Sequence, residues 1–458
     1  MIKILNSLTY ESLYGVSDVS IAKKDIKECL LKLKRVDALR KCLEINFGLF
    51  LNQNNGDYQT RLINENFNKT GIRKIYKILE IENKDIKEIC VFYRGQIINL
   101  IWYILIYCPS EGGLGIKDGE KFSKNFRKCI LIVSDLINAH VHDGKWQNTH
   151  DSFQDSVAAL PAIRQSMEYS NHLDMYSKKH YLLLSRGYSI FVEIFSGEFK
   201  RKFFEKFNIS LEDFYSIIFA IIGQLLNYSK TWHFNLDTFV KPTKKSKEVK
   251  ELLLKISLTP EELLEEIKQE TNNIPAENYE ARAITTMEKI LRGKPFLRIP
   301  NNEILLTDAT YLIQFATVGP LFCLTKSSNR EIFKHYGECF EVYTQSQLKR
   351  IFSDKKIINN HSIQRGRKKE GCLEIDAYIE NGDKIFLIEI KSTFINNAKK
   401  LSEELERKYC QKQGIHQLAK SAKLLSIKSK KEINEIFPIL VVHDSLLDDT
   451  EFLLNKKI

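Results

Sequence analysis

Apolar residues in the first half of the chain recur at three- and four-residue intervals. Ile26, Leu30, Leu33, Val36 and Leu39 form one series and Ile72, Ile75, Ile78 and Leu79 another, with Lys, Glu and Asn between them. That period puts the apolar positions on one face of a helix. The same spacing predicts helices over 122–138, 181–195, 211–228 and 248–255, with no strictly alternating stretch among them. The runs 97–108 and 217–226 are apolar almost throughout, interrupted by Asn99 and Gln224. Both fall short of the ~20 residues a membrane-spanning helix needs, so they read as helices buried in protein. An α-rich N-terminal domain over residues 1–270 follows.

Two polar stretches punctuate what comes next, the basic run Lys241–Lys250 and the segment Thr271–Pro275. Residues 271–329 then read as a connecting segment. It holds a helix over 280–292, a short hairpin around Asn301-Asn302 and a helix from Asp308 to about Ala316. From Arg330 to Phe352 a long helix carries Phe333, Phe340, Tyr343 and Leu348 on its inner side. Mixed α/β character begins there, and residues 330–458 form the last domain.

The segment Cys372-Leu-Glu-Ile-Asp-Ala-Tyr-Ile379 alternates. Leu373, Ile375, Ala377 and Ile379 take one face and Glu374, Asp376 and Tyr378 the other, which predicts a strand with an acidic face. Asn381-Gly382 is a two-residue hairpin signal, and Lys384-Ile-Phe-Leu-Ile-Glu-Ile-Lys391 reads as the returning, deeply buried strand. With Asn381 and Gly382 as the loop, Glu380 pairs with Asp383, Asp376 lies opposite Leu387, and Glu374 lies opposite Glu389. Glu374, Asp376, Glu389 and Lys391 then share one face, because residues two apart on a strand point the same way.

Three carboxylates on one patch repel each other and resist desolvation unless a cation neutralises them. A hard divalent ion meets that need. Mg²⁺ favours oxygen ligands, usually one or two carboxylates with waters and phosphate oxygens. Asp376, Glu389 and the main-chain carbonyl of Ile390 would supply the protein's share. Lys391 would stand beside the ion, placed to orient or deprotonate a water or to stabilise charge developing on phosphorus. The chemistry in outline is phosphodiester hydrolysis.

Asp376, followed after twelve residues by Glu389-Ile390-Lys391 between two strands, resembles the PD-(D/E)XK nuclease superfamily, the restriction-endonuclease-like fold. Two outlying places are similar as well. Gly337-Glu-Cys-Phe-Glu341, on the helix ahead of the hairpin, resembles the family's Gly-x-x-Phe-Glu pattern and matches Glu341 to its helical acid, with Glu338 a rival one turn away. Gly414-Ile-His-Gln417-Leu418 opens the following helix and resembles the glutamine motif, and Phe437–Val442 supplies a closing strand. Ile375 stands where the family's pattern has proline. The resemblance spans Arg330 to Val442. It implies an αβββαβ core with a mixed sheet and a DNA endonuclease dependent on Mg²⁺, with Mn²⁺ able to substitute. Asp376, Glu389 and the Ile390 carbonyl would hold the metal with Glu341, while Lys391 assists the attacking water and Gln417 supports the site. Family habit adds bacterial defence against foreign DNA as the role. Two other readings stay open: a nucleic-acid-binding module of the same fold that has lost cleavage, and a ribonuclease or DNA-repair nuclease.

Composition sharpens this picture in a few places. Lys and Arg number 69 against 58 Asp and Glu, a formal net charge of +11 on 458 residues. An acidic patch therefore sits in a basic protein, and that balance favours a polyanion such as nucleic acid as partner. Hydrophobic residues at 43%, with 20 Gly and 9 Pro, exclude collagen-like and wholly disordered classes. Nine scattered cysteines without a CxxC pair, and an N-terminus without a secretory pattern, point to reduced thiols in a cytoplasmic protein. No membrane partner is expected, and self-association stays open. Gly113–Gly119 has neither the spacing nor the ending of a phosphate-binding loop, so any ATPase or sensor would be a separate polypeptide. His140, His142 and His150 occupy a polar stretch without metal-site spacing and receive no role. The basic segment Arg365–Lys369 reads equally as a phosphate grip or a solvated loop.

Overall fold

The computed structural model describes residues 18–51, 61–62, 64–65, 94–141, 182–228, 231–272, 276–324, 330–352, 356–363, 373–392, 415–429 and 435–442. The apolar series at Ile72–Leu79, the polar stretch with His142 and His150, and the basic segment 365–369 lie outside them. The chain divides into two units, residues 1–185 with 203–320, and residues 186–202 with 321–458. Among the described residues no helix is long and apolar enough to cross a membrane.

The first unit is helical with one small sheet. Helix α1 (Val19–Leu30) starts at Asp18, whose carboxylate accepts from the N–H groups of Ser20 and Ile21. The apolar series from Ile26 to Leu39 predicts one helix face, but the helix breaks at Leu31–Lys34 before α2 (Arg35–Leu51) begins. Leu33 keeps its burial by another route, since its backbone pairs with that of Leu114. Helix α3 (Arg94–Tyr107) is apolar on nearly every side and is buried along most of its length, as such a helix must be. It packs with α4 (Glu120–Val141) into the main core.

Helices α5 (Gly197–Phe207), α6 (Leu211–Ile222), α7 (Leu236–Val240), α8 (Ser246–Lys255), α9 (Pro260–Thr271), α10 (Ala276–Gly293) and α11 (Ala309–Leu324) follow along the chain. The strands β1 (His233–Asn235), β2 (Ser257–Leu258), β3 (Phe296–Ile299) and β4 (Glu303–Leu306) form a sheet in the order β1-β4-β3-β2. β3 and β4 are the hairpin expected around Asn301-Asn302. Both asparagines adopt left-handed backbone, with φ of 68° and 55°, a conformation asparagine tolerates better than most residues.

One polar cluster locks three helices of this unit. Asp308 caps α11, accepting from the N–H of Thr310 at 2.7 Å and of Tyr311 at 3.3 Å. Arg94 of α3 grips the same carboxylate through Nε at 3.0 Å and through a second guanidinium nitrogen. Asn46 of α2 donates to it at 2.9 Å. The side chains of Arg94 and Asp308 are 4% and 0% exposed. Removing one partner from a buried pair strands the other charge. Arg94→Met is therefore expected to lower the unfolding free energy by about 3–5 kcal/mol. Urea unfolding followed by tryptophan fluorescence reads this unit, because Trp102 and Trp232 belong to it. A loss under about 1 kcal/mol would show the pair to be dispensable.

The second unit runs in the order α12 (Arg330–Ile351), β5 (Lys356–Ile363), β6 (Leu373–Asn381), β7 (Lys384–Lys391), α13 (Ile415–Ser429), β8 (Ile436–Val442). Its sheet has the order β5-β6-β7-β8, with β5, β6 and β7 antiparallel in turn and β8 parallel to β7. The protein is thus helix-rich, with small mixed sheets. The core of this unit joins Ile375, Tyr378, Ile385 and Leu387 to Leu418, Ala422 and Leu425 of α13. Residues 186–202 also belong here. Phe191 lies 5.7 Å from Tyr336 of α12, ring to ring, and Phe195 meets His335 edge-on at 4.8 Å.

The hairpin register differs from the expected one. Asn381 pairs with Lys384 and Tyr378 with Leu387, so the loop is Gly382-Asp383 and the expected pairings of Glu380 with Asp383, Asp376 with Leu387 and Glu374 with Glu389 do not form. Gly382 has φ +61° while Asp383 keeps negative φ. Glycine at the first loop position is what a type II′ turn requires. The slip is two residues, and side chains alternate with period two, so every residue keeps the face expected for it.

Candidate active site

Strand β7 lies between β6 and β8 and is apolar on both faces, with Ile385, Leu387, Ile388 and Ile390 all buried. Into this setting it brings Glu389 and Lys391, side by side on one face. Glu389 is 1% exposed and Lys391 22%. The Lys391 ammonium donates to Glu389 Oε1. The other oxygen, Oε2, is buried and has no hydrogen-bond partner. A buried, unpaired carboxylate oxygen is costly to keep.

Asp376 arrives from β6. The β6–β7 ladder ends at Ala377 opposite Ile388, and one step further along that register brings Asp376 to the level of Glu389. There the Asp376 carboxylate takes over from the backbone: Oδ2 accepts the N–H of Ile390 at 2.6 Å. The helix ahead of the hairpin completes the group. Gln345 donates from Nε2 to Glu341 Oε1 at 3.0 Å and to the main-chain oxygen of Asp376 at 2.9 Å. α12 reaches the end of β7 closely enough that a Cβ on Gly337 would lie 2.9 Å from Ser392 Oγ, so a glycine suits that point of contact.

The geometry separates the two candidate helix acids. Glu338 is more than half exposed and turns toward His335 at 3.2 Å and Lys334 at 4.0 Å. Glu341 is the one linked to Asp376 through Gln345. Gln417 lies in the first turn of α13, half-buried, next to Leu418, which packs against Leu387. The side chain of Glu374 and the whole of Gly414 lie outside the described residues. Sequence reasoning had no place for Gln345, although its position four residues after Glu341 puts both on one helix face.

Burial, opposed by the Lys391 bond and reinforced by the charges of Asp376 and Glu341, pushes the Glu389 carboxyl up to about 7. The site thus resists holding three negative charges without a further cation. Among the described residues no group of three or more His, Cys, Asp or Glu side chains converges closely enough to hold a metal by itself. Mg²⁺ asks for less, one or two carboxylates with water and substrate oxygens filling the remaining positions. The orphaned Oε2 of Glu389 and the adjacent Asp376 carboxylate fit that requirement. Comparison of the chain with known protein families, with characterised proteins and with solved structures finds no match.

Since the folded state holds the Glu389 proton more tightly than the unfolded chain, this group's stabilising contribution is present below about pH 4.5 and is lost as pH rises through about 7. Glu389→Gln keeps the neutral form at every pH. In EDTA at pH 8 it is expected to be more stable than the wild type by roughly 1–3 kcal/mol, with little difference near pH 5. Thermal unfolding followed by circular dichroism at the two pH values checks this. A difference independent of pH would contradict it.

Proposed function

We propose that the second unit is a restriction-endonuclease-like nuclease domain that cleaves phosphodiester bonds in DNA with Mg²⁺, and that the protein serves bacterial defence against foreign DNA from the cytoplasm. The observation that carries this reading is Glu389: a carboxylate 1% exposed on a two-sided apolar strand, with one oxygen on Lys391 and the other on nothing. A charge placed there without a function would be expensive. The succession α12-β5-β6-β7-α13-β8, with the acids at the β6–β7 end and Glu341 on the leading helix, supports the same reading.

When bound, Mg²⁺ supplies an activated water and neutralises charge on the scissile phosphate. Asp376, Glu389 and the main-chain carbonyl of Ile390 would hold it, with Glu341 contributing from the helix. Lys391 then has less of Glu389's charge to neutralise, and its ammonium is available to orient the attacking water or to meet charge developing on phosphorus. Gln417, on the helix behind the hairpin, would support the substrate side. The net charge of +11 steers a nucleic-acid backbone toward this locally acidic patch. The helical N-terminal region would recognise a trigger, a partner or the DNA itself.

Purified protein is to be incubated with plasmid, linear duplex, single-stranded DNA and RNA, in Mg²⁺, Mn²⁺ or EDTA, beside Asp376→Ala and Lys391→Ala. Cleavage of DNA in Mg²⁺ or Mn²⁺ but not EDTA is expected, with both variants slower by about a hundredfold or more. Cleavage of RNA alone would reassign the substrate. Metal binding and nucleic-acid retention without cleavage would make this a binding module, and equal activity of wild type and both variants would sink the assignment of these residues.

A further inference from the structure

We infer that Gln345 is the positioning residue that fastens Glu341 to Asp376 and so builds their acids into one cation site. The inference rests on the nuclease reading only in taking that site to bind a divalent ion. Gln345 is 8% exposed, in the C-terminal half of α12. Its amide nitrogen carries two N–H groups in a fixed trigonal geometry. One reaches back along the helix to Glu341 Oε1 at 3.0 Å, and the other crosses to the main-chain oxygen of Asp376 at 2.9 Å.

No shorter or simpler side chain reproduces both bonds. Leucine offers no donor, glutamate offers acceptors where donors are needed, and asparagine is one methylene short. Asp376 is thereby held at two points, its carbonyl by Gln345 and its carboxylate by the N–H of Ile390. Glu341 needs such an anchor more than Asp376 does. It is half-buried, its charge and that of Glu389 oppose each other, and a helix glutamate without a local donor turns to water. The groups that orient metal-binding carboxylates commonly matter tenfold to a hundredfold in metal affinity.

The test titrates the full chain with Mn²⁺, reading free and bound metal by electron paramagnetic resonance. Gln345→Leu is expected to weaken Mn²⁺ binding about tenfold. Gln345→Glu is nearly isosteric and carries the test should the leucine variant fail to fold. It adds a negative charge, which simple attraction would turn into tighter binding, whereas loss of the two donors predicts weaker binding. The double variant Glu341→Gln/Gln345→Leu is expected to lose clearly less affinity than the sum of the two single losses, because Gln345 acts on the metal in part through Glu341. Unchanged or tighter binding by Gln345→Glu, or losses that add in the double variant, would overturn the role of Gln345. Absence of Mn²⁺ binding by the wild-type chain would overturn the metal-site reading and this role together.

Discussion

A carboxylate withdrawn from water has to be met by opposite charge or give up its own, and Glu389 is withdrawn almost completely. The second unit is organised around the strand that carries it. β7 is paired on both edges, by β6 and by β8, and α13 covers the face that Leu387 shares with Glu389. That framework holds the acid where it is, since the effective penalty of burying an ion is several kcal/mol. Lys391 offsets part of the cost but donates to only one of the two oxygens. The result is a strand stable enough to keep an unsatisfied group in place, which is the condition a binding site has to meet.

The elements nearest this site were legible in the sequence because they depend on local periodicity. Alternation from Leu373 to Ile379 gave β6 its two faces, and the apolar run through Glu389 marked a strand covered on both sides. The register was not legible to the residue. Asn381-Gly382 and Gly382-Asp383 are both good turn dipeptides, and the choice fell to whichever put glycine first in the loop. Because the slip was an even number, the grouping of Asp376, Glu389 and Lys391 on one face was unaffected. β5 escaped individual notice since Asn359, Asn360 and His361 interrupt its alternation. In the first unit, the break at Leu31–Lys34 leaves no trace in the apolar spacing, because Leu33 is buried whether it continues a helix or pairs with Leu114. Gln345 was silent for a different reason. An amide on a helix is ordinary by composition, and its part is visible only once α12 lies against β6.

The chain contains a second buried carboxylate, and the contrast between the two is informative. Asp308 is 0% exposed, as deeply placed as Glu389. Its oxygens meet two nitrogens of Arg94, the amide of Asn46 and two backbone N–H groups at the start of α11. Such a group is closed: every lone pair has a donor, and it fastens α2, α3 and α11 together. Glu389 has one donor, and the groups that would complete its shell are themselves acids. Both carboxylates obey the same electrostatics, so the difference lies in what surrounds them. A fold able to satisfy one buried acid so fully has the means to satisfy the other with an arginine or a helix N-terminus. At Glu389 it instead sets the charges of Asp376 and Glu341 against it and uses the amide of Gln345 to tie those two residues together, so the carboxyl there holds its proton more tightly than an exposed acid does.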